Sequence, residues 1–411
     1  MPADRTRAVF FPELLESRRL LATINVADFG GVVNDGRDDT ASIAAAIRAG
    51  GPGDIVSFPV GTLNMSSVIT IGNGDRLQGQ KGSKIVMSLT SDIYGFAISG
   101  DASNVTIDGL DLNSNRGILK MTAGSAYNNI SITNNLMSNG GGKYGIFGTI
   151  TNNNLKIEHN YFHDSQDQLR VMEVWRMNHS SYSYNAFYNV EDVGHIMDPG
   201  PNVRFSYNWA RLVHRMGIEV QDSGFRTRPD RANFIAEGNV MYDWFQPYWD
   251  SMCMSIPITS PRGGSVIIKN YLRQNALNGE WIPHNNQTRG SYGIELGMES
   301  VGRCEGNIVG GEKMVNHIVV MENDIPVANN KLYGRPGWGA FIVGEPNSHG
   351  GWGSFIDINN LKDNNFANMP SPESIDWAVL TMKNAGPGGG WLAPTDPPGG
   401  PNPPGDPTDP G

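Results

Sequence analysis

Nine asparagines recur in one register along the chain. The segments Asn129-Ile-Ser-Ile-Thr-Asn-Asn135, Asn154-Leu-Lys-Ile-Glu-His-Asn160, Ser181-Tyr-Ser-Tyr-Asn185 and Asn202-Val-Arg-Phe-Ser-Tyr-Asn208 align on their last residue, and the register continues at Asn239, Asn270, Asn307, Asn330 and Asn360. The step varies, so a short repeat is interrupted by insertions of different length. One step earlier, Asn104-Val-Thr-Ile-Asp-Gly-Leu110 fits with Leu110 in the asparagine position. Each repeat sets alternating apolar residues before the asparagine and a second alternating stretch after it. That period belongs to strands, so each repeat reads as one coil of a parallel β-helix whose coils stack at about 4.8 Å. Asparagines at one turn position then meet their counterparts above and below.

The rest of the composition agrees. The chain holds 51 Gly in 411 residues, as frequent turns demand, and 31 Lys+Arg against 41 Asp+Glu give a net charge of −10. No apolar run is long enough for a spanning helix, and no basic stripe is interleaved with aromatics, so neither membrane insertion nor nucleic-acid binding is expected. The two cysteines, Cys253 and Cys304, have no metal-ligand spacing; they either pair in an oxidising compartment or are buried free thiols.

The ends differ from the middle. Residues 1–22 read as an export- or targeting-like segment in which charges interrupt any apolar core, and Leu15-Glu-Ser-Arg-Arg-Leu-Leu-Ala22 resembles a segment near the start of many exported proteins of planctomycete-type bacteria. A secreted or cell-surface bacterial protein is the expectation. Residues 23–100 read as an N-terminal cap with the first coils, and residues 101–385 as the β-helix with its groove and a C-terminal cap helix. That short helix runs from Ser371-Pro372 to about Asn384, with Ser371 as N-cap and Gly386 as the stop. Residues 386–411, with 8 Gly and 9 Pro, read as a linker or tail.

Ile24-Asn-Val-Ala-Asp-Phe-Gly-Gly-Val-Val-Asn-Asp-Gly-Arg-Asp-Asp-Thr-Ala-Ser-Ile-Ala-Ala-Ala-Ile47, followed by Ile55-Val-Ser-Phe-Pro-Val-Gly-Thr62, resembles the opening of the pectate-lyase-like right-handed parallel β-helix superfamily, which includes polygalacturonases, rhamnogalacturonases and phage tailspikes. The resemblance implies an all-β, right-handed parallel β-helix acting on polysaccharide. Thr40 would cap a helix through about Arg48, laid across the first coil to shield its open end. The reaction is not implied. The polygalacturonase pattern is broken, since Asp38-Asp39 falls in the cap and His349-Gly350 is isolated, and Arg226-Thr-Arg-Pro-Asp-Arg231 holds the Arg and Pro of pectate lyases in the wrong register.

A solenoid stacks equivalent residues into rows, so a site shows as one position carrying reactive groups on neighbouring coils. Aligning Arg170-Val-Met-Glu-Val174, His195-Ile-Met-Asp-Pro199 and Gly217-Ile-Glu-Val-Gln221 on their apolar residues turns Glu173, Asp198 and Glu219 to one exposed face. Neighbours would be about 5 Å apart and the outer pair about 10 Å. Like charges so close should raise at least one pKa, giving the acid and base of glycosidic cleavage, with inverting geometry favoured for Glu173 with Glu219 or Asp198. His195 and His214 stand on the same coils as further catalytic candidates. Arg170, Trp175, Arg176, Arg215, Asp222, Arg226, Arg228 and Trp249 are candidates for binding sugar, through aromatic faces and bidentate arginines.

A glycoside hydrolase without cofactor or metal is the leading expectation. The alternative is a polysaccharide lyase or uronate epimerase in which His195 or His214 takes the α-proton, Arg170 or Arg215 neutralises the uronate, and the acidic row holds Ca²⁺. A non-catalytic glycan-binding or adhesion module is the third reading.

Overall fold

A computed structural model of the chain describes residues 21–90, 94–139, 144–221, 233–243, 252–256, 264–274, 292–296, 301–311, 316–320, 327–334, 341–343, 361–363 and 366–388. Its architecture is the right-handed parallel β-helix. Twelve strands, one per coil from Thr23–Asn25 to Val327–Ala328, form one continuous parallel sheet, and the strands that follow each turn form a second, larger one. Between Thr151–Asn153 and its neighbours lies a third sheet of three strands. Coils pair in register: Ile107, Ile132, Ile157 and Tyr182 face each other on successive rungs, as do Leu112, Met137, Phe162 and Phe187. All these side chains are buried, and they fill the bore of the solenoid. Phe162 and Phe187 stack at 5.1 Å, and the buried Tyr182 hydroxyl donates to the Val193 carbonyl.

The asparagine repeat is a hydrogen-bonded ladder. Each of Asn135, Asn160, Asn185, Asn208, Asn239, Asn270 and Asn307 donates both its backbone N–H and its Nδ2 to the Oδ1 of the next, ending on Asn330. Nδ2 also donates to the carbonyl ahead of the previous turn, as Asn160 does to Ile132 at 2.8 Å. The Leu110 N–H opens the ladder by donating to Asn135, and Asn360 lies outside the described residues. The residue before each asparagine sits in the left-handed region, including the non-glycines His159, Tyr184 and Tyr207. Their rings stack at 5.2 and 5.4 Å, covering a strained backbone with packing.

The expected terminal helices form, with two corrections. The helix α1 (Thr40–Ala49) buries Ile43, Ala46 and Ile47 against the first coils, but Thr40 is its first residue and Asp39 takes the N-cap position. Thr40 does not cap because its hydroxyl donates to Asp38 at 2.5 Å; Asp39 instead receives the N–H groups of Val32 and Asn64. The helix α2 (Asp376–Asn384) follows a short 3-10 turn at Pro372–Ser374. It does not cap the C-terminal end. The segment from Phe366 to Gly388 runs back along the flank, where Tyr271 donates to the Pro370 carbonyl, Thr381 to that of Tyr207, and the Gly386 N–H to that of His159. The cause is an apolar outer stripe of Ala186, Trp209, Val240 and Tyr271 that this segment covers.

Cys304 is a buried free thiol, pushed up to about 12 by burial and the Glu305 charge, against a hydrogen bond from Asn307 that lowers it. The Cys253 side chain lies outside the described residues. No helix among the described residues is long and apolar enough to cross a membrane.

Candidate active site

Strand register decides which residues share the outward-facing row, and the face expected to be exposed is largely covered, with Glu173, His195 and Glu219 all buried. Glu173 pairs with His195, and His195 with Glu219. Asp198 is therefore not in the row. The alternation runs through Gly194 and Ile196, which face the bore, where a Cβ on Gly194 would crowd the Tyr182 ring at 3.0 Å. The phase of the strand Ala186–Met197 is thus set by a glycine and an isoleucine, and aligning on Met197 shifts it. Asp198 falls in the following turn, with φ 52° and its N–H donating to Gln221. Toward the N-terminus the row continues through Phe147 and Lys120, and toward the C-terminus through Ser255 and Glu295.

Arg170 gathers the row into one cluster. Its guanidinium donates to Glu173 at 3.0 Å, to Glu219 at 2.7 Å and to Asp192 at 3.3 Å, and it touches Nδ1 of His195. Asp192, almost wholly buried, also receives the Met216 N–H at 2.9 Å and so fixes the arginine from behind. Glu173 has a second donor, the Trp175 indole at 3.2 Å, and Glu219 a further one in the Gln221 amide. Burial works against the Glu173 charge, but the hydrogen bonds from His195 and Trp175 and the charges of His195 and Arg170 outweigh it and hold the carboxyl at about 2. The expectation that crowded carboxylates lift a pKa fails at Glu173, because a guanidinium stands between them.

His195 has two possible partners on one nitrogen. Nδ1 lies 3.5 Å from the Glu173 carboxylate and also against Arg170, so a neutral ring accepts from Arg170 while a charged ring donates to Glu173. Nε2 is buried, with no hydrogen-bond partner among the described residues.

Aromatic rings extend the row past Glu173. Phe147 lies between Tyr144, at 4.8 Å, and Tyr94, at 6.0 Å, in a near-parallel stack. Burial first, then Tyr144 and the Glu173 charge, hold the Tyr94 phenol well above its ordinary range. Lys120, one rung beyond Phe147, has no hydrogen-bond or ion-pair partner among the described residues.

The structure thus brings together Glu173, Glu219, His195, Arg170 and Trp175. It sets Arg176 apart, exposed in a left-handed turn. The side chains of His214 and Arg215, and all of Asp222, Arg226, Arg228 and Trp249, lie outside the described residues. Sequence reasoning missed Asp192, Gln221, Phe147, Tyr94 and Tyr144. Extending the alignment two coils earlier, to Gly117-Ile-Leu-Lys-Met and Tyr144-Gly-Ile-Phe-Gly, finds Phe147; nothing in sequence marks Asp192, which lies where the register between neighbouring coils shifts.

No family model matches the chain, and no curated protein matches it. Among solved structures it is similar to the A-module of a mannuronan C-5 epimerase of Azotobacter vinelandii, with 15% identity over 83% of this chain and 99% of that one and a TM-score of 0.46. It is also similar to the catalytic unit of a thermostable α-1,3-glucanase of Streptomyces thermodiastaticus, with 14% identity over 85% and 71% and a TM-score of 0.48. A family 28 exopolygalacturonase of Yersinia enterocolitica gives 11%, 86%, 79% and 0.44 for the same measures. These likenesses concern the winding of the chain and carry no weight on its reaction, which has to be read from the site.

Proposed function

We propose that the protein is a secreted carbohydrate-active enzyme that hydrolyses glycosidic bonds in a polysaccharide. The observation that carries this reading is the row Glu173, His195, Glu219 on three successive rungs, drawn together by Arg170. Three carboxylates surround one guanidinium, so the cluster is negative when His195 is neutral. Such a field favours the positive charge that develops on the sugar ring during hydrolysis and disfavours a uronate or its enolate. Glu173, held ionised, takes the proton from the attacking water, whose oxygen bonds to the anomeric carbon. Glu219 accepts from Arg170 and Gln221 in the free protein, so it takes up a proton as the sugar displaces them and then gives that proton to the departing glycosidic oxygen. Their backbones are two rungs, about 10 Å, apart, and inversion, with carboxyl separations of roughly 6.5–9.5 Å, requires the Arg170 guanidinium that bridges them to give way to water. Phe147 with its stacked tyrosines offers an apolar surface for a neighbouring sugar.

The unpartnered Nε2 of His195 favours a second reading, elimination or epimerisation with His195 as base. The Ca²⁺ of that reading does not fit the row: the carboxylates converge on Arg170, which already supplies the cation, and no group of three metal-ligating side chains among the described residues is arranged to hold an ion. Incubation with neutral and uronate-containing polysaccharides separates the readings. Reducing ends without ultraviolet absorbance, lost in Glu173→Gln and Glu219→Gln, are the expected result; an absorbing unsaturated product or a C-5 epimer transfers the role to His195. Binding that survives both substitutions with no product assigns the row to adhesion.

A further inference from the structure

A second constellation lies on the preceding strands, apart from the acidic row. Strands Ser83–Met87, Asp111–Ser114, Leu136–Asn139 and the start of Tyr161–Arg170 stack in register, and an open cleft follows their outer edge. Its lining includes Ser88, Asn113, Asn115, Ser138, His163 and Asp164. Asn113 pairs with Ser138, and because Met137 pairs with Phe162, His163 comes one rung further on the same column. The three therefore span two strand spacings, roughly 10 Å, the length of a disaccharide.

The side chains are already oriented. Asn113 Nδ2 donates to the Ser138 hydroxyl at 2.6 Å, and His163 Nδ1 is bonded to Asp164 Oδ2 at 2.9 Å. Asp164 is held in turn by the Asn189 amide at 2.7 Å. With Nδ1 donating to a carboxylate, neutral His163 keeps its proton there and presents Nε2 as an acceptor, and no described residue is bonded to that atom. Tyr161 packs against the same imidazole at 5.3 Å. Of the carboxylates nearby, Asp111 is paired with Lys84 at 3.7 Å, while Asp164 keeps its charge and is held by hydrogen bonds from His163 and Asn189. A cleft of fixed amides, hydroxyls and one imidazole, whose one uncompensated charge is the Asp164 carboxylate, complements vicinal hydroxyls and repels an anionic ligand.

The geometry points to a second saccharide site here, binding one or two neutral sugar units through Asn113, Ser138 and His163. It is independent of the acidic row, which lies on the strands after the next corner, and it holds whether or not that row hydrolyses its ligand.

The test uses the full chain labelled with ¹⁵N in histidine, titrated with neutral trisaccharides (cellotriose, laminaritriose, xylotriose and maltotriose) and with trigalacturonate as the charged control. At least one neutral trisaccharide should shift the His163 Nε2 resonance saturably, with the same midpoint in Glu219→Gln. Asn113→Leu, which blocks the cleft, should weaken that binding about tenfold or more, the scale of a lost hydrogen-bonded contact. His163→Ala, read by calorimetric titration because its own signal is gone, should weaken binding likewise while keeping the thermal midpoint of the parent. The proposal is overturned if no neutral trisaccharide moves the His163 signal, if only trigalacturonate does, or if Glu219→Gln abolishes binding while a folded Asn113→Leu leaves it intact.

Discussion

The asparagine ladder and the acidic row run side by side along the solenoid, and they use repetition in opposite ways. On the ladder every rung carries the same neutral amide, each satisfying the next, from Asn135 to Asn330. In the row each rung differs from the next: Lys120, Phe147, Glu173, His195, Glu219. A ladder of identical amides is closed on itself and leaves nothing for a ligand. A row of unlike groups cannot satisfy itself along the axis, so it recruits Arg170 and Asp192 from the side and still leaves His195 Nε2 without a partner among the described residues. In this solenoid sameness along a column serves stability, and variety marks the place where chemistry can occur.

Removing Arg170 tests that division most severely. Arg170→Met leaves Asp192 and Glu173 buried without their cation, and breaking such pairs costs about 3–5 kcal/mol. The urea midpoint should fall accordingly and hydrolysis should vanish even at temperatures where the variant is folded. A variant that stays stable and active would mean the cluster is ornamental and the row is not a site.

Cutting the ladder should affect stability alone. In Asn185→Leu the N–H of Asn160 and the carbonyl of Ile157 lose their partners, a penalty of about 1–3 kcal/mol. Turnover measured well below the melting temperature should match the parent. Were turnover to fall with the ladder intact elsewhere, the two columns would be mechanically coupled rather than separate.

The ladder was legible in sequence because one residue type at one turn position survives insertions of any length. The row was half legible. Period 2 placed Glu173 and Glu219 correctly, since Met172 and Val174, and Ile218 and Val220, flank them as apolar residues. It failed at Asp198, where the strand's phase depends on Gly194, a residue with no side chain to declare its face. The aromatic stack and Asp192 were not legible, for they act through contacts between coils that only the register reveals.

Acid sharpens the comparison, because only the row titrates. The Glu173 carboxyl is held at about 2, below its ordinary value of 4.5. Its ionised form therefore stabilises the fold fully above that ordinary value, and the contribution is lost as pH falls from about 4.5 toward 2. The thermal midpoint of the parent should drop more steeply through that window than that of Glu173→Gln, while Asn185→Leu should run parallel to the parent. Parallel curves for Glu173→Gln and the parent would show that Glu173 gains nothing from Arg170, His195 and Trp175.

A second line of amides separates burial from repetition. Asn129 donates to Asn104 at 3.0 Å and accepts from Asn154 at 3.1 Å, much as ladder residues do, but on the solvent-exposed side of the coil. All three have positive φ, with Asn129 at 56°. Asn129→Gly removes both side-chain bonds and keeps the backbone conformation, which glycine adopts without strain. Water replaces the lost partners, so the cost should be about 0.5–1 kcal/mol, against about 1–3 kcal/mol for Asn185→Leu. If the two substitutions cost the same in urea unfolding, repetition itself would stabilise, through cooperativity along the line of amides. If Asn129→Gly costs clearly less, the strength of the inner ladder comes from the exclusion of water, and the same amide in the same geometry is worth only what its surroundings leave unsatisfied.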